Sequence, residues 1–491
     1  MRILYIDIDT LRPDHLGCYG YHRRTSPNID ALAAEGVRFD GYHCPDAPCL
    51  PSRAALMTGR FGIHTGIVNH GGFCADMRLV GAERGFVDRC RTDNLPAFLR
   101  SAGLRTASIS PFAERHGAWW FYAGFNEMHN TGGGGMESAE VVTPVALDWI
   151  RRGARADNWF LHVNYWDPHT PYRAPEEFGN PFARDPLPEW ITDEVLAAHQ
   201  QAVGPHTARE VGMYDDRPAP RFPRHVGAVR TREDLRRHLD GYDCGIAYAD
   251  RQVGILMDAL AEQGVADDVA VIVTSDHGEN QGELGIYAEH ATADQPTCRI
   301  PLVVRWPGGR RGTSEAGLLY NLDLAPTLAA LLGREARASW EGESFAAAVT
   351  GDGEGAGRAQ LVLSQCAHVC QRSVRWDRWL YMRTYHDGFH LFPREMLFDL
   401  ADDPYEQHDL AGDRRDLCRV GAARLLDWHD AMMASMPDGH AEDPLWTVMR
   451  EGGPFHARGH LRAYCERLRK TERGWAIDEL LRRHPYDPSV R

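Results

Sequence analysis

Lysine is almost absent from this chain. Lys470 is the one lysine among 54 basic residues, and the rest are arginines. No lysine in the body of the chain is therefore available to a reactive site. Long apolar runs are also missing. No uninterrupted stretch of 18 apolar residues occurs, which argues against a membrane-spanning helix. Met1-Arg2-Ile3-Leu4-Tyr5-Ile6 runs straight into a strand pattern without a charged-then-apolar leader. A cytoplasmic location with no membrane partner is the expectation. Paired cysteine spacing is missing too. The 11 cysteines are odd in number, and Cys366 and Cys370 have no second pair at zinc-finger spacing. Thiols in a reducing compartment are expected. Positive charge is in deficit, with a net charge of −15. That excludes a nucleic-acid backbone as the main partner. It leaves room for a small anion in a locally positive pocket.

What is present suits a large globular protein. The 491 residues are 43% hydrophobic, enough for one large α/β domain and a smaller one. Residues 3–8, 159–164, 269–274 and 301–306 read as strands. Helices are expected from Ser26 to about Gly36, Thr92 to Gly103, Ser138 to Gly153, about 242–263, and Asn321 to Leu332. Strands alternating with helices imply an α/β fold with a large, mainly parallel central sheet flanked by helices. Reactive residues in such sheets gather past the carboxyl ends of strands. Asp9 and Asp276 both stand there, so the fold brings them to one site. Residues 204–230, rich in Pro, Arg and His, read as a long surface loop. A Gly-rich linker is expected over 350–357. It separates a catalytic domain over 1–348 from a smaller C-terminal α+β region over 358–491, which packs on it through short aromatic strands and a helix near 414–435.

The strongest motif is Cys49-Leu50-Pro51-Ser52-Arg53, followed by Ala54 to Arg60. Alone, this spacing suits a loop-to-helix junction as well as a reactive centre. Asp9-Thr10-Leu11-Arg12-Pro13-Asp14, Asp167-Pro168-His169-Thr170-Pro171, Ser275-Asp276-His277-Gly278-Glu279, and Leu397-Phe398-Asp399-Leu400 accompany it in order. Together these segments resemble the sulfatases of the alkaline phosphatase superfamily. The resemblance covers residues 3 to about 412.

That resemblance implies an alkaline-phosphatase-like fold and hydrolysis of sulfate esters. Cys49 would be oxidised to formylglycine by a maturation enzyme that reads Cys49, Pro51 and Arg53, a transient partner. A divalent ion, with calcium expected and manganese or magnesium as alternatives, would be held by Asp9, Asp276, His277 and residue 49. Hydrated formylglycine supplies the nucleophile. Arg53 is expected to balance charge on its oxygens, and His169 to meet the leaving group. The substrate is expected to be a small anionic sulfate ester, with sulfated sugars favoured by family breadth. Related phosphonate and phosphate ester hydrolases share this chemistry and form the first alternative. A non-catalytic anion- or carbohydrate-binding protein with unmatured Cys49 is the second.

The chain departs from the family where the resemblance implies charge. Thr10 replaces a second aspartate, and Asp7 shares a strand face with Asp9. Asp7 is either a ligand or a hydrogen-bonded buried carboxylate. His290 stands at one family lysine position, and His116, beside Arg115, is the candidate to replace another. Protonated histidines are expected beside the sulfate oxygens. His64, Asn69 and His70 are candidate substrate contacts or ordinary loop groups. Trp119, Trp120, Phe121 and Tyr122 read as a core cluster rather than a ring-stacking surface.

Overall fold

The computed structural model describes residues 1–78, 89–353, 357–437 and 440–491. In chain order the strands of its two larger sheets are β1 (Arg2–Ile8), β2 (Val37–Phe39), β3 (Asp46–Ala47), β4 (Arg105–Ile109), β5 (Glu127–His129), β6 (Trp159–Tyr165), β7 (Val269–Thr274), β8 (Leu302–Arg305), β9 (Thr313–Glu315), β10 (Gln360–Gln365), β11 (Cys370–Trp376), β12 (Trp379–His386) and β13 (Glu395–Asp399). The helices that frame the site are α1 (Pro27–Ala34), α2 (Cys49–Thr58), α3 (Ala139–Gly153), α4 (Arg232–Glu262), α5 (Leu324–Leu331) and α6 (Arg415–Ala434). None of the helices among the described residues is long and apolar enough to cross a membrane.

The main sheet has the order β9-β2-β8-β7-β1-β6-β4-β5. Strands β7, β1, β6, β4 and β5 pair in parallel, as the alternating pattern implies. Strand β8 runs against both β7 and β2. An apolar run encodes burial but not direction, so this reversal was not expected.

Alternation along β1 positions the site. Ile3 and Tyr5 belong to the core on the α2 and α5 side, while Leu4, Ile6 and Ile8 face α1, α3 and α4. The period of two therefore turns Asp7 and Asp9 toward α2. Strand β7 behaves alike: Ala270 and Ile272 face the α2 side, and Val269, Val271 and Val273 the other. Asp7 lies in register with Asn164 of β6 and Thr274 of β7, at the centre of the sheet.

A second sheet has the order β13-β12-β11-β10-β3. Ser364 and Gln365 of β10 pair with Asp46 and Ala47 of β3, just before Cys49. The C-terminal sheet thus grips the chain entering α2.

Four expectations need correction. The helix expected at 242–263 begins at Arg232, where Thr231 and Asp234 form a capping box. The helix expected from Thr92 to Gly103 is two helices, Cys90–Asp93 and Leu95–Ser101. Asn94, with an extended ψ of 144°, separates the two, and Pro96 sits in the first turn of the second. Residues 204–230 hold no named helix or strand, yet Val211, Ala228 and Val229 are buried. That segment is core in part, not only surface. Ser26 precedes α1, but its hydroxyl donates to Asp30 Oδ1 at 2.9 Å rather than capping the helix. Of the expected linker, residues 354–356 lie outside the described residues, and Ala346–Thr350 is helical.

Candidate active site

Helix α2 places Cys49 in its first turn and Arg53 one turn later, so both side chains share a face. The helix is buried along its whole length. Ser52 Oγ donates to the Asp276 carbonyl at 2.5 Å, and Asn321 Nδ2 donates to Ser52 Oγ at 2.9 Å. These bonds lock α2 to the end of β7.

Arg53 reads three carboxylates at once. Its Nε donates to Asp7 Oδ2 at 2.9 Å, and Nη1 donates to Asp9 Oδ2 at 3.0 Å and Asp276 Oδ2 at 2.5 Å. The guanidinium carbon stands 4.8 Å from the Phe112 ring centre and 5.8 Å from that of Trp166. Nη2 is buried without a hydrogen-bond partner among the described residues. One donor thus remains for an anion, as the expected role of Arg53 requires, while most of the fork serves the carboxylates. Asp7 also meets His162 Nε2 at 3.4 Å. Asp7 Oδ2 orients Arg53, while Oδ1 is buried without a hydrogen-bond partner among the described residues.

Three carboxylates against one guanidinium leave the pocket short of positive charge. Burial raises the cost of each carboxylate's charge. Arg53 overcomes it and holds Asp9 below the usual carboxylate range. At Asp276 burial, backed by Asp9 and Asp7, wins over Arg53 and pushes the carboxyl well above that range. The site keeps all three ionised only with a further cation. Its donors fit one. Asp9 Oδ1 and His277 Nε2 are buried without hydrogen-bond partners among the described residues. The Gly278 carbonyl accepts from His277 Nδ1 at 2.8 Å, which leaves Nε2 as a lone pair. Donor atoms of Cys49, Asp276 and His277 all lie within 4.8 Å of one another. Asp9 is not among the donors within that span; it is brought beside Asp276, 267 positions away, through Arg53 Nη1, which both carboxylates share.

Thr10 turns the chain at the end of β1 with a left-handed φ of 57°, a costly conformation for a β-branched residue. The turn directs its amide to Asp276 Oδ1 at 3.3 Å, and its carbonyl accepts from Tyr242 at 2.7 Å.

Histidines line the rest of the pocket. His70 Nε2 and His116 Nε2 each stand 3.3 Å from Cys49 Sγ. His169 Nε2 is 4.0 Å from Asp9 Oδ1. The His290 ring lies 4.2 Å from that of His277 and 5.6 Å from that of His169. Cys49, Arg53, His116, His169, Asp9, Asp276, His277 and His290 therefore come together. Burial, then Arg115 and Arg53, pushes His116 down to about 3. Burial likewise takes His169 to about 3 against the pull of Asp9. These rings are neutral in the free protein, because no anion yet offsets their desolvation. Burial, then Asp9 and Asp276, also pushes the Cys49 thiol well up, so an unmodified Cys49 is a poor nucleophile.

The sequence reading missed His456. Its Nε2 lies 3.0 Å from His70 Nδ1, and its ring stacks on His368 at 4.2 Å. Its Gly452-Gly453-Pro454 approach was the available signal. His64 is not a substrate contact. It bonds Glu341 at 2.5 Å and the Met432 carbonyl at 2.9 Å, facing away from Cys49's partners. Asn69 is buried, its Oδ1 accepting from the His70 amide at 2.8 Å. Trp120 and Phe121 belong to the core, and Trp119 is exposed.

Comparison with known proteins agrees with this geometry. The sulfatase family model matches residues 2–334, and the C-terminal model of N-sulphoglucosamine sulphohydrolase matches residues 282–420. The chain belongs to the sulfatase family. This sulfatase is a hydrolase of the alkaline phosphatase superfamily that cleaves sulfate esters. It is 26% identical to the choline-sulfatase of Rhizobium meliloti over 94% of this chain and 88% of that protein. It is 26% identical to the iduronate 2-sulfatase of Mus musculus over 65% of this chain and 61% of that protein. Among solved structures, the phosphonate monoester hydrolase of Agrobacterium radiobacter shares the fold with a TM-score of 0.66 at 22% identity, covering 88% of this chain and 95% of that one. A protein solved in complex with its substrate D-glucosamine-2-N,6-O-disulfate gives a TM-score of 0.68 at 17% identity, covering 89% and 99%.

Proposed function

We propose that this sulfatase acts on a sulfated sugar or similar small organic sulfate, through a formylglycine made from Cys49 by a separate maturation enzyme. One observation carries the reading: position 49 sits where the carboxylate–histidine donors converge, with two further imidazoles at 3.3 Å. Asp9, Asp276, His277 and residue 49 would hold a divalent ion. Calcium suits two hard carboxylates, while the imidazole leaves manganese and magnesium as alternatives. When bound, the ion neutralises ester oxygens and acidifies the hydroxyl beside it.

The chain's own residues divide the remaining work. Arg53 keeps Asp7 and Asp9 ionised and offers Nη2 to an anionic oxygen. The start of α2 presents the positive end of the helix dipole at residue 49. His116 and His70 stand where the nucleophile's proton leaves. His169 and His290, neutral at rest, gain basicity once a dianionic sulfur centre forms between them and Arg53. A proton taken up from solvent on one of these rings then passes to the departing alkoxide. A sugar substrate is supported by the glucosamine disulfate neighbour and the iduronate relative. We also read the chain as a catalytic unit over 1–348 with a smaller unit over 358–491, supported by the two sheets.

Matured enzyme with defined metal should be assayed on sulfated sugars, aryl sulfates and aryl phosphonates. The fastest turnover is expected on a sulfate. A phosphonate rate higher by orders of magnitude would replace this reading. So would a peptide spectrum from the native host showing unmodified Cys49, which favours a binding protein. Separately, His290→Ala should lower kcat/KM by about 10²–10³ with the fold unchanged by circular dichroism. Unaltered kinetics would return His290 to a purely architectural role.

A further inference from the structure

We propose that His206, Glu289 and His368 hold a second divalent cation, a first-row transition-metal ion, behind the catalytic pocket. Their donor atoms lie within 4.8 Å of one another. Each residue is at most 5% exposed. None of the three serves the Asp9, Asp276 and His277 cluster.

Hydrogen bonding leaves this trio with lone pairs facing inward. His206 Nδ1 lies 3.0 Å from the Val211 carbonyl, which only accepts, so Nδ1 carries the proton. In the neutral ring Nε2 is then a lone pair, and it stands 2.9 Å from Glu289 Oε2. Two acceptors at that distance repel unless a positive charge lies between or beside them. A proton on His206 would settle that pair alone. It would do nothing for His368, whose two ring nitrogens are buried without hydrogen-bond partners among the described residues. Its Nε2 lies 3.6 Å from Glu289 Oε1. A cation satisfies His206, Glu289 and His368 together, and a carbonyl-oriented imidazole is the usual form of a metal-binding histidine.

The spacing indicates the class of ion. An ion ~2.1 Å from both His206 Nε2 and Glu289 Oε2 would see them at roughly 90°. Two imidazoles and one carboxylate make a donor set that water can complete. Imidazole-rich donors favour zinc, iron, cobalt or manganese over calcium.

The backbone is arranged to bring these segments together. The Tyr287 amide donates to the His206 carbonyl at 2.8 Å. Gln365 Oε1 accepts from the His368 amide at 3.1 Å, while its Nε2 donates to the His290 carbonyl at 2.7 Å. His206 holds a left-handed φ of 58°, which its surroundings must impose. Glu289 keeps Oε1 for His290, with Nε2 at 2.8 Å and the His290 amide at 3.0 Å. The ion would thereby fix Glu289, and through it a ring of the catalytic pocket. It would also tie residues 204–230 and the β10–β11 turn to the main body.

Chelator-stripped protein, re-equilibrated with excess calcium, should be titrated with Co²⁺ and followed by visible absorption and elemental analysis. Asp276→Asn, which disables the catalytic cluster, is expected to bind one equivalent of Co²⁺. His368→Ala and Glu289→Gln are expected to weaken Co²⁺ at least ~100-fold. An Asp276→Asn protein that binds no Co²⁺ overturns the proposal, as does undiminished binding by folded His368→Ala. Should those last two variants fail to fold, the Asp276→Asn titration decides alone. A failure of the formylglycine reading would leave that titration untouched.

Discussion

Cys49→Ala is expected to fold normally and to lose turnover by at least about 10⁴-fold. Loss of one sulfur from a buried first-turn position leaves a small void, for which about 1 kcal/mol is a fair cost. Helix α2 keeps its anchors through Ser52 and Asn321. Activity has no such reserve, because Sγ marks the point that both the carboxylate–histidine donors and the imidazoles surround. Cys49→Ser separates two steps. Its hydroxyl can attack sulfur but lacks the second oxygen needed to expel sulfate from the adduct. A burst of up to one alcohol per site, then arrest, is expected by rapid quench. Sustained wild-type-like turnover in Cys49→Ala would refute the assignment of residue 49.

Arg53→Met should have the largest effect on stability. The substitution keeps much of the side-chain volume against Phe112 and Trp166 but withdraws the one charge that Asp7, Asp9 and Asp276 share. Removing one partner from a buried ion pair costs about 3–5 kcal/mol, because the other charge stays buried and uncompensated. Denaturant unfolding in chelator should show at least that loss. Added divalent ion should restore more stability to the variant than to wild type, because its pocket is the more negative. Equal metal responses would mean that Arg53 does not set the charge of the metal cluster.

Much of this site is legible in sequence because it follows rules of period. Alternation along Ile3-Leu4-Tyr5-Ile6-Asp7-Ile8-Asp9 assigns both aspartates to one face, and the run Val269-Ala270-Val271-Ile272-Val273-Thr274 marks the neighbouring buried strand. A four-residue step puts Cys49 and Arg53 on one side of a helix. His116 was found by asking what could replace a missing lysine nearby. The rest follows no period. His206, Glu289, His368 and His456 come from irregular segments or strand ends far apart in the chain, and tertiary contacts alone gather them. Strand direction was equally silent, since Leu302 to Arg305 reads the same either way. The early start of α4 at Arg232 was hidden by its polar first turn, which its cap stabilises.

His456 has a consequence for how the molecule comes into being. A ribosome lays down the nucleophile segment about 400 residues before the ring that touches His70. A nascent chain released after residue 420, where the matched family regions stop, would carry the floor of the pocket without that part of its rim. Only a chain that includes residue 456 closes that part of the wall, so a segment beyond the matched family regions finishes the pocket.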